Sequence, residues 1–447
     1  MLYVLDEPSI GLHPSNVEGL LGVMQDLIND GNSVVFVDHD LQVLRAAEHL
    51  IEMGPGAGYN GGNIIASGSV ASIENNRASI IGSFLAGKEQ TIIREQISDE
   101  HIFDNGYINI KTRQLHTVQP LDVDIPCGRL IAITGVSGSG KTTLILEELM
   151  PALDAQISGK ALPEYVKSIT NDTIEKIQLI DASPIGINVR STVATYTNIL
   201  DDLRKIYATL PISKEKGYKA ADFSYNTGSL RCKTCDGTGQ ISMDMQFLPD
   251  IDIVCPDCNG SRYDKSIKSL KYIPNPKTES EDISLPDIMG LTVEQALDIF
   301  AGNKKIHDKL NLLNNLGLGY LTLGESTPSL SGGEAQRLKL ASEMDKPQND
   351  ALFIFDEPSI GLHPSDIRVL LKVFDKLVKQ GATVIVIEHD TDIIANADYI
   401  IDMGPGGGEA GGRVVATGTP RQIASNPESI TGKYLDFELS HRQSPEK

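Results

Sequence analysis

Short apolar runs alternate with amphipathic segments along much of the chain. The runs predict buried strands at 130–134, 178–181, 352–355 and 383–387. Apolar positions at helical spacing predict helices at 142–148, 333–343 and 367–379. Because strands and helices alternate, the predicted fold class is α/β, with a mostly parallel sheet that helices cover.

The sequence contains an internal repeat. The segment LYVLDEPSIGLHPS from Leu2 recurs as LFIFDEPSIGLHPS from Leu352, and the match continues to the glycine pairs Gly61-Gly62 and Gly411-Gly412. Roughly 30 of about 68 aligned positions are identical, which indicates duplication. A phosphate-binding motif precedes only the second copy. We call the two segments the first copy and the second copy.

The first copy begins in the middle of its expected fold. A parallel strand at residues 2–5 needs neighbouring strands that come from elsewhere. We therefore interpret the chain as the last third of one module followed by a whole second module, as a truncated or split gene would give. The alternative is a natural protein that takes the missing strands from a partner.

This interpretation predicts a division of the chain into segments. The polar, proline-bounded stretch 274–286 is expected to be an exposed loop. The predicted segments are the C-terminal part of a first module (1–88), a linker (89–105), the phosphate-loop part of a second module (106–160), a helical insertion (161–325) with a metal module at about 213–263, and a signature helix with the C-terminal part of the second module (326–447).

Composition narrows the possible functions. The chain is 40% apolar and 22% charged, which is ordinary for a globular protein, and no apolar run is long enough to span a bilayer. A membrane role is therefore not expected, and a cytoplasmic location is. The net charge of −21 argues against a general basic face for nucleic acid, so any DNA contact needs a local patch.

A glycine-rich motif follows the predicted strand at 130–134. GVSGSGKT fits the pattern G-x-x-x-x-G-K-[ST], whose backbone N–H groups and helix N-terminus bind the phosphates of ATP. Lys141 is expected to neutralise the β- and γ-phosphates, and Thr142 to ligate Mg²⁺. The alternative is a glycine-rich turn that binds no nucleotide. The predicted nucleotide contacts are Gly135, Ser137, Gly138, Ser139, Gly140, Lys141, Thr142 and Thr143.

Two acidic residues and a histidine follow the strands of the second copy. Asp356 ends the strand at 352–355 and is expected to hold Mg²⁺. Glu357 is placed to orient or deprotonate the attacking water. His389 follows the next strand and is expected to touch the γ-phosphate. Taken alone, His389 would be a structural residue; its order after the acidic pair favours the functional interpretation.

The segment LSGGEAQ provides a second anion site at the start of a helix. Ser331, Gly332, Gly333 and Glu334 resemble the signature of ABC ATPases, which closes over ATP held by the opposite module. Ser331 also serves as a helix N-cap, but a cap alone leaves the phosphate loop and the acidic pair unexplained.

Four of the five cysteines form two C-x-x-C pairs. Cys232 and Cys235 are separated by 19 residues from Cys255 and Cys258, a spacing that predicts a closed, structural zinc site. Disulfides or redox pairs are the alternative. Cys127 lies outside this scheme and is expected to be a buried small residue.

The chain as a whole resembles the UvrA family, the ABC-type excinuclease components of bacterial nucleotide excision repair. The resemblance rests on GVSGSGKTTL, SPIG with RSTVATYTNI, RCKTCDGTG, QFLPDIDIVCPDC, LSGGEAQRLKLA and DEPSIGLHP, in this order along nearly the whole chain. It implies an ABC-type P-loop NTPase with a helical signature subdomain that carries a zinc-binding insertion. It further implies ATP, Mg²⁺ and Zn²⁺ as cofactors, ATP-controlled DNA binding, partners that include other excision-repair subunits, a homodimer and no membrane partner.

The chain departs from the family pattern at several positions. Ala182 stands where the family usually has a glutamine that helps to position Mg²⁺ and water, and Glu325 also replaces a common glutamine. The segment after SPIG, which usually contains arginine and proline, reads Ile187-Asn188-Val189. These changes indicate a UvrA-like paralogue, of the kind tied to drug tolerance, and Ala182 predicts slow hydrolysis.

Two other hypotheses compete with a DNA-binding ATPase. An exporter ATPase is disfavoured by the thiolate insertion and the lack of a membrane span. A truncated chain that binds ATP and DNA without turnover remains open. For such a truncated chain, the phosphate loop and the signature are two half-sites. Each half-site needs a complement from the other module or from a second copy of the chain.

Overall fold

The computed structural model describes residues 1–56, 61–89, 93–95, 97–186, 188–243, 251–273, 282–344 and 348–441. The chain divides into two compact units, which are described separately. The first unit comprises Met1–Ala182 and Lys346–Lys447, and the second comprises Ser183–Asp345. No helix in the described ranges is both long and apolar enough to cross a membrane.

The first unit contains both copies of the repeat. Its strands are β1 (Leu2–Asp6), β2 (Ser33–Val37), β3 (Leu50–Gly54), β4 (Asn63–Gly68), β5 (Tyr107–Thr112), β6 (Asp122–Pro126), β7 (Leu130–Gly135), β8 (Val166–Thr170), β9 (Lys176–Ile180), β14 (Ala351–Asp356), β15 (Thr383–Ile387), β16 (Tyr399–Gly404) and β17 (Arg413–Gly418). Its helices are α1 (Pro14–Asn29), α2 (Leu41–Arg45), α3 (Val70–Glu74), α4 (Gly82–Leu85), α5 (Met150–Ile157), α13 (Pro364–Lys379), α14 (Thr391–Ala395), α15 (Pro420–Ala424) and α16 (Ile430–His441).

The second unit is mainly helical. Its helices are α6 (Val193–Tyr196), α7 (Ile199–Thr209), α8 (Pro211–Glu215), α9 (Leu285–Met289), α10 (Val293–Ile299), α11 (Lys304–Asn315) and α12 (Gly332–Glu343). Its strands form two short antiparallel hairpins, β10 (Gln240–Met243) with β11 (Ile251–Val254) and β12 (Lys271–Tyr272) with β13 (Ile283–Ser284).

A six-stranded sheet organises the first unit. The strand order is β17-β16-β7-β15-β14-β9, and every neighbouring pair is parallel except β16 with β17. All five residues of β15 are buried, as expected for a strand that helices cover on both faces. The predicted α/β class with a mostly parallel sheet is therefore confirmed.

The register of this sheet aligns the ends of three strands. Asp356 of β14 lies opposite Ile387 of β15, which in turn lies opposite Ile133 of β7. The residues that follow these strands therefore emerge at one edge of the sheet. In parallel α/β sheets the carboxyl edge is where ligands bind.

The first copy of the repeat forms two separate two-stranded sheets. β1 pairs with β2 in parallel, and β3 pairs with β4 in antiparallel, in the same local order as β14 with β15 and β16 with β17. In the second copy β7 lies between β15 and β16. Side chains of the first copy's strands are exposed, among them Val4 (70%), Ile51 (60%) and Ile64 (63%).

The predicted linker contacts the second copy through Arg94. Its guanidinium donates to the carbonyl oxygen of Asn396 at 2.6 Å and lies 3.3 Å from a carboxylate oxygen of Asp398, which is itself buried. The same carboxylate oxygen accepts a hydrogen bond from the backbone N–H of Leu130, the first residue of β7. The linker is thus tied to the start of the strand that leads into the phosphate loop.

Two local predictions can be compared with the described residues. Cys127 is fully buried in the core that β7, β14 and β15 form, as expected for a small apolar side chain. The predicted exposed loop at 274–286 is wrong at its end, and residues 274–281 lie outside the described residues. Ser284 and Pro286 are buried, because a capping box between Ser284 and Asp287 starts α9 there.

Candidate functional site

The phosphate loop joins β7 to a helix. Gly135, Gly138 and Gly140 have φ angles of 131°, 76° and 100°, which disfavour any other residue. A Cβ atom on Gly135 would lie 1.9 Å from the carbonyl oxygen of Met403, so close backbone packing also requires glycine there. The sequence predicts the following helix at 142–148. The structure has a π-helical segment at Thr143–Leu149 that runs directly into α5.

Lys141 lies inside the loop. Its side chain is almost fully buried, and Nζ donates to the carbonyl oxygens of Gly135 at 3.0 Å and Val136 at 3.2 Å. Burial lowers the pKa of Lys141 to about 8, although nearby carboxylates, the strongest in effect being Glu357 and Asp402, act to raise it. The ammonium group is therefore held in a desolvated position among acidic side chains.

The other predicted residues of the loop differ in their surroundings. Ser137 Oγ donates to the carbonyl oxygen of Gly11 at 3.4 Å, and Thr143 Oγ1 donates to Glu147 at 3.1 Å. The side chain of Thr142 is exposed. Ser139 is fully buried, and within the described chain its Oγ has no hydrogen-bond partner.

Asp356 and Glu357 follow each other at the carboxyl end of β14. Glu357 has a φ of 46°, an uncommon conformation for a residue other than glycine, and it turns the chain directly after the strand. Burial, together with Glu388 and Asp356, raises the pKa of Glu357 to about 7. Burial also raises the pKa of Asp356. A carboxyl group that titrates near neutral pH is suited to accept a proton from water.

His389 lies beside Glu357 at the same sheet edge. Its Nε2 is 3.8 Å from Oε1 of Glu357, and its side chain is 8% exposed. Burial lowers the pKa of His389 to about 2, with Lys141 and His13 adding to the effect, so the ring is neutral at physiological pH. Among the described residues, its Nδ1 has no hydrogen-bond partner.

Buried polar atoms that lack partners are costly unless a ligand or water satisfies them. Ser139 Oγ and His389 Nδ1 are two such atoms at this edge of the described chain. Together with the ammonium group of Lys141 and the glycine backbone, they fit a polyphosphate. The loop and strand-end residues therefore suit the predicted nucleotide.

Several residues of this site are not predicted from the sequence. Glu388 is buried and accepts hydrogen bonds from Ser359, which fixes the turn that carries His389. Asp402, also buried, accepts hydrogen bonds from Ser429 and Thr431. Glu388 is part of the repeated V-D-H-D and I-E-H-D motifs, which could have indicated it. Asp402 carries a comparable signal, because it is the counterpart of Glu52 in the repeated I-E-M-G-P-G and I-D-M-G-P-G segments.

The signature residues lie in the second unit, at the start of α12. Ser331 is the N-cap: its Oγ accepts from the N–H of Glu334, and the Glu334 carboxylate accepts from the N–H of Ser331 at 2.7 Å. Glu334 also accepts a hydrogen bond from the hydroxyl of Tyr320. Gly332 and Gly333 form the first turn of α12. The capping box pre-orders a helix N-terminus whose backbone N–H groups can bind an anion.

The four paired cysteines converge within the second unit. Their sulfur atoms all lie within 4.8 Å of one another, with 3.9 Å between Cys232 and Cys255 and 3.7 Å between Cys235 and Cys258. Tetrahedral zinc with Zn–S bonds of about 2.3 Å requires sulfur atoms about 3.8 Å apart. A disulfide requires about 2 Å, so the arrangement fits zinc better than disulfides.

The two C-x-x-C turns are built alike. Asp236 and Asn259 each have a φ of 49°, and the glycines that follow, Gly237 and Gly260, each have a φ of 80°. A Cβ atom on Gly237 would lie 1.8 Å from the carbonyl oxygen of Tyr225. The Gly239 N–H also donates to Cys235 Sγ at 3.3 Å. Such N–H···S bonds stabilise thiolates that ligate a metal.

The chain is similar in sequence to curated proteins of one kind. No family model matches it. Curated relatives called UvrABC system protein A share 42% identity with it: the relative from Aquifex aeolicus over 97% of this chain and 46% of that protein, and the one from Staphylococcus aureus over 97% and 45%. The resemblance to the UvrA family is confirmed. The chain spans about half the length of the curated relatives that it matches.

Solved structures agree with this resemblance. The crystal structure of UvrA2 from Deinococcus radiodurans matches 98% of this chain and 52% of that chain, with a TM-score of 0.87 and 38% identity. A model of ribosome-bound archaeal Pelota and ABCE1 matches 94% of this chain and 53% of that chain, with a TM-score of 0.51 and 17% identity, a likeness of fold alone. The predicted ABC-type fold is thus confirmed, together with a cysteine cluster able to bind zinc in its second unit.

Proposed function

We propose that the chain is an ATP-binding ATPase of the UvrA type. The observation that carries this proposal is the convergence of Lys141, Asp356, Glu357 and His389 at one edge of a parallel sheet. Each residue suits one part of phosphoryl transfer to water. Support also comes from the UvrABC system relatives and from the UvrA2 structure.

In this mechanism each side chain has a distinct role. Lys141 and the N–H groups of the phosphate loop bind the β- and γ-phosphates, and neutral His389 donates to the γ-phosphate. Glu357 orients the attacking water and accepts its proton. Thr142 and Asp356 would hold Mg²⁺, which would neutralise phosphate charge when bound. Cys232, Cys235, Cys255 and Cys258 would hold a structural zinc ion.

The signature residues complete such a site in another module. We propose that Ser331, Gly332, Gly333 and Glu334 close over a nucleotide bound elsewhere, as their resemblance to ABC ATPases implies. The phosphate loop in turn needs a second signature, supplied by another module or by a second copy of the chain. A homodimer and the division into modules at 1–88 and 106–447, joined by a linker at 89–105, are part of this proposal.

DNA is the proposed macromolecular partner, together with other excision-repair subunits. The name of the curated relatives, UvrABC system protein A, supports partners from a multi-component system, and the DNA partner rests on the resemblance to the UvrA family. Within the predicted zinc module, Arg231 pairs with Asp236, and Arg262 stacks on Tyr225. The side chains of Lys214, Lys216, Lys219 and Lys233 are exposed and can reach a phosphate backbone. The cytoplasmic location remains a prediction.

The pH dependence of hydrolysis tests this assignment. The pH profile of kcat/KM reports the ionisable groups of the free enzyme. The value of kcat/KM should rise with pH through about 7 as Glu357 loses its proton, and fall above about 8 as Lys141 loses its proton. Glu357→Gln should still bind ATP but lower turnover roughly 100-fold and remove the acid limb. The measurement is phosphate release from Mg-ATP across the neutral pH range, with and without double-stranded DNA.

The first copy offers a matched control for this experiment. Glu7 occupies the equivalent position, with a φ of 44° against 46° for Glu357. Glu7→Gln should leave the acid limb in place, because that limb reports Glu357 and the carboxylates that raise its pKa, Glu388 and Asp356, both belong to the second copy. Equal losses in the two variants would contradict the role of Glu357. Nucleotide binding without any turnover in the unaltered chain would support a binding protein and not an enzyme.

Ala182 is expected to slow hydrolysis. It lies two residues beyond Ile180, the last residue of β9, which pairs with Phe355 of β14, so it emerges at the same sheet edge as Asp356. Ala182→Gln would restore an amide that can orient water and the magnesium ion, and turnover should rise by about tenfold. Steady-state ATP hydrolysis measures this. Identical turnover for Ala182→Gln and the unaltered chain would refute the prediction, with Ala182→Leu as the size-matched control.

A further inference from the structure

A loop of the first copy lies against the phosphate loop and against Glu357 of the second copy. This loop, residues 9–13, is called the crossing loop here. The carbonyl oxygen of Gly11 accepts a hydrogen bond from Ser137 of the phosphate loop. A Cβ atom on Gly11 would lie 3.1 Å from Oε2 of Glu357. The loop and the strand ends of both copies line a common cavity of about 770 Å³.

His13, at the end of the crossing loop, is fully buried beside the site. Its ring meets the ring of His389 edge to face, with 5.7 Å between the centroids, and meets Tyr434 of α16 at the same distance. His13 is therefore packed between the predicted γ-phosphate ligand and the C-terminal helix. A change of its side chain would leave His389 without lateral support.

The hydrogen bonds of His13 define its tautomer. Nδ1 accepts a hydrogen bond from the backbone N–H of Ser15 at 3.2 Å, so this nitrogen carries no proton. Burial and the charge of Lys141 lower the pKa of His13 to about 4, which keeps the ring neutral. The single proton must therefore lie on Nε2, which donates to Thr431 Oγ1 at 3.1 Å.

Thr431 extends this contact to the phosphate loop. Its hydroxyl donates to Oδ1 of Asp402 at 3.0 Å and lies 3.3 Å from Thr134 Oγ1. Thr134 directly precedes the phosphate loop, and the carboxylate of Asp402 attracts the ammonium group of Lys141. His13 thus packs directly against His389, and hydrogen bonds link it through Thr431 to Asp402, whose charge acts on Lys141.

We propose that His13 is a positioning residue through which the first copy sets how well the second module distinguishes ATP from ADP. The inference rests on the proposed ATP binding. His389 and Lys141 are the groups assigned to the γ-phosphate, and His13 orders both. ADP lacks the γ-phosphate, so its binding does not use the His389 contact and depends on the loop backbone and on the part of the Lys141 contact that goes to the β-phosphate.

The second copy provides a matched position for the test. His363 caps α13 as His13 caps α1: its Nδ1 accepts from the N–H of Ser365 at 3.2 Å. The ring of His363 lies near His39 and Phe84 instead of the phosphate loop. Asparagine can retain the capping hydrogen bond but cannot reach the equivalent of Thr431. His363→Asn therefore reproduces the change in helix capping that His13→Asn causes, without the change near the phosphate loop.

Titration calorimetry with ADP and with the non-hydrolysable β,γ-imido analogue of ATP, both with Mg²⁺, tests the proposal. His13→Asn should weaken binding of the ATP analogue by about fivefold, the equivalent of one net hydrogen bond, and leave ADP binding within about twofold. Thr431→Val, which keeps the side-chain shape, should give a change in the same direction. His363→Asn should leave both affinities unchanged.

The possible results separate this inference from the function on which it rests. Unchanged affinity for the ATP analogue in both His13→Asn and Thr431→Val would overturn the positioning role. Equal weakening of both nucleotides would also overturn it, since that result indicates a general loss of structure. If His389→Ala binds the ATP analogue as tightly as the unaltered chain does, the assignment of His389 itself fails, and the proposed function with it.

Discussion

Lys141→Ala should weaken ATP binding by about 100-fold. Lys141 is the buried cation of the phosphate loop, and its ammonium group lies in the field of Glu357, Asp402 and Asp356. A charge-assisted hydrogen bond in a buried site contributes up to about 3 kcal/mol, which is about 100-fold in affinity. The loss should be larger for ATP than for ADP, since the side chain is assigned to the terminal phosphates. Titration calorimetry with Mg-ATP measures it.

Removal of the cation has a second consequence. Without Lys141 the carboxylates at the sheet edge have lost their nearest counter-charge, so they should repel the triphosphate as well. Lys141→Arg, which retains the charge but not the compact ammonium group, should recover only part of the affinity. Lys160→Ala removes an exposed lysine that pairs with Asp154 and should change nothing. An affinity for ATP that survives Lys141→Ala would contradict the assignment of the loop.

The sequence is sufficient to predict those elements that depend only on neighbouring residues. β15 matches its predicted range, β7 is longer than predicted by one residue at its end, and β14 is longer by one residue at each end. These strands are buried on both faces, so they read as unbroken apolar runs bounded by glycine or acidic residues. The phosphate loop and the C-x-x-C turns could also be predicted from the sequence, because their glycines are required by backbone conformations that involve only a few neighbouring residues.

Contacts between residues that are far apart in the sequence could not be predicted in this way. His13 and Thr431 are 418 positions apart in the sequence, yet they share a hydrogen bond. Nothing in the spacing of apolar and polar residues encodes such a pair. The identical His13 and His363 of the repeat were visible, but the repeat alone did not indicate that the two histidines face different partners. Which of them lies near the phosphate loop follows from tertiary packing alone.

The start of α9 illustrates a different limit. Residues 274–286 are polar overall, and their composition predicted a loop throughout. Ser284 and Asp287, however, form a capping box, and Leu285 and Ile288 are fully buried in the second unit. A few buried side chains outweigh the average polarity of a segment once tertiary contacts exist. The capping motif in the sequence S-L-P-D was the available signal.

Loss of the cysteine cluster should have the largest effect on stability. Cys255 is fully buried, and its sulfur lies 3.9 Å from that of Cys232. Among the described residues, the four sulfur atoms form a compact cluster whose other apolar neighbour is a single partly buried isoleucine, Ile241. The cysteine cluster therefore has little apolar core of its own, and we expect a metal ion to hold the two turns together. Structural zinc sites contribute roughly 10 kcal/mol or more to the folding of the segment that they close.

Cys255→Ser should therefore lower the zinc content from about one ion per chain to near zero and unfold the surrounding segment. Hydrogen exchange at residues 231–243 and 251–263 should become fast, while β7 and β14 in the first unit remain protected. Zinc content is measured by atomic absorption, and exchange by mass spectrometry. Addition of a strong zinc chelator to the unaltered chain should reproduce the same pattern, and zinc should reverse it.

The fifth cysteine supplies the control. Cys127 is as buried as Cys255 but lies in the core of the first unit, where burial raises the pKa of its thiol and it stands apart from the cysteine cluster. Cys127→Ser should keep its zinc and the slow exchange of the cysteine turns. If Cys255→Ser also kept its zinc, the ion would not depend on this cysteine; if the chelator left exchange unchanged, packing or oxidation would hold the cluster instead. In that case we would not assign a DNA contact that depends on zinc to the exposed lysines Lys214, Lys216, Lys219 and Lys233.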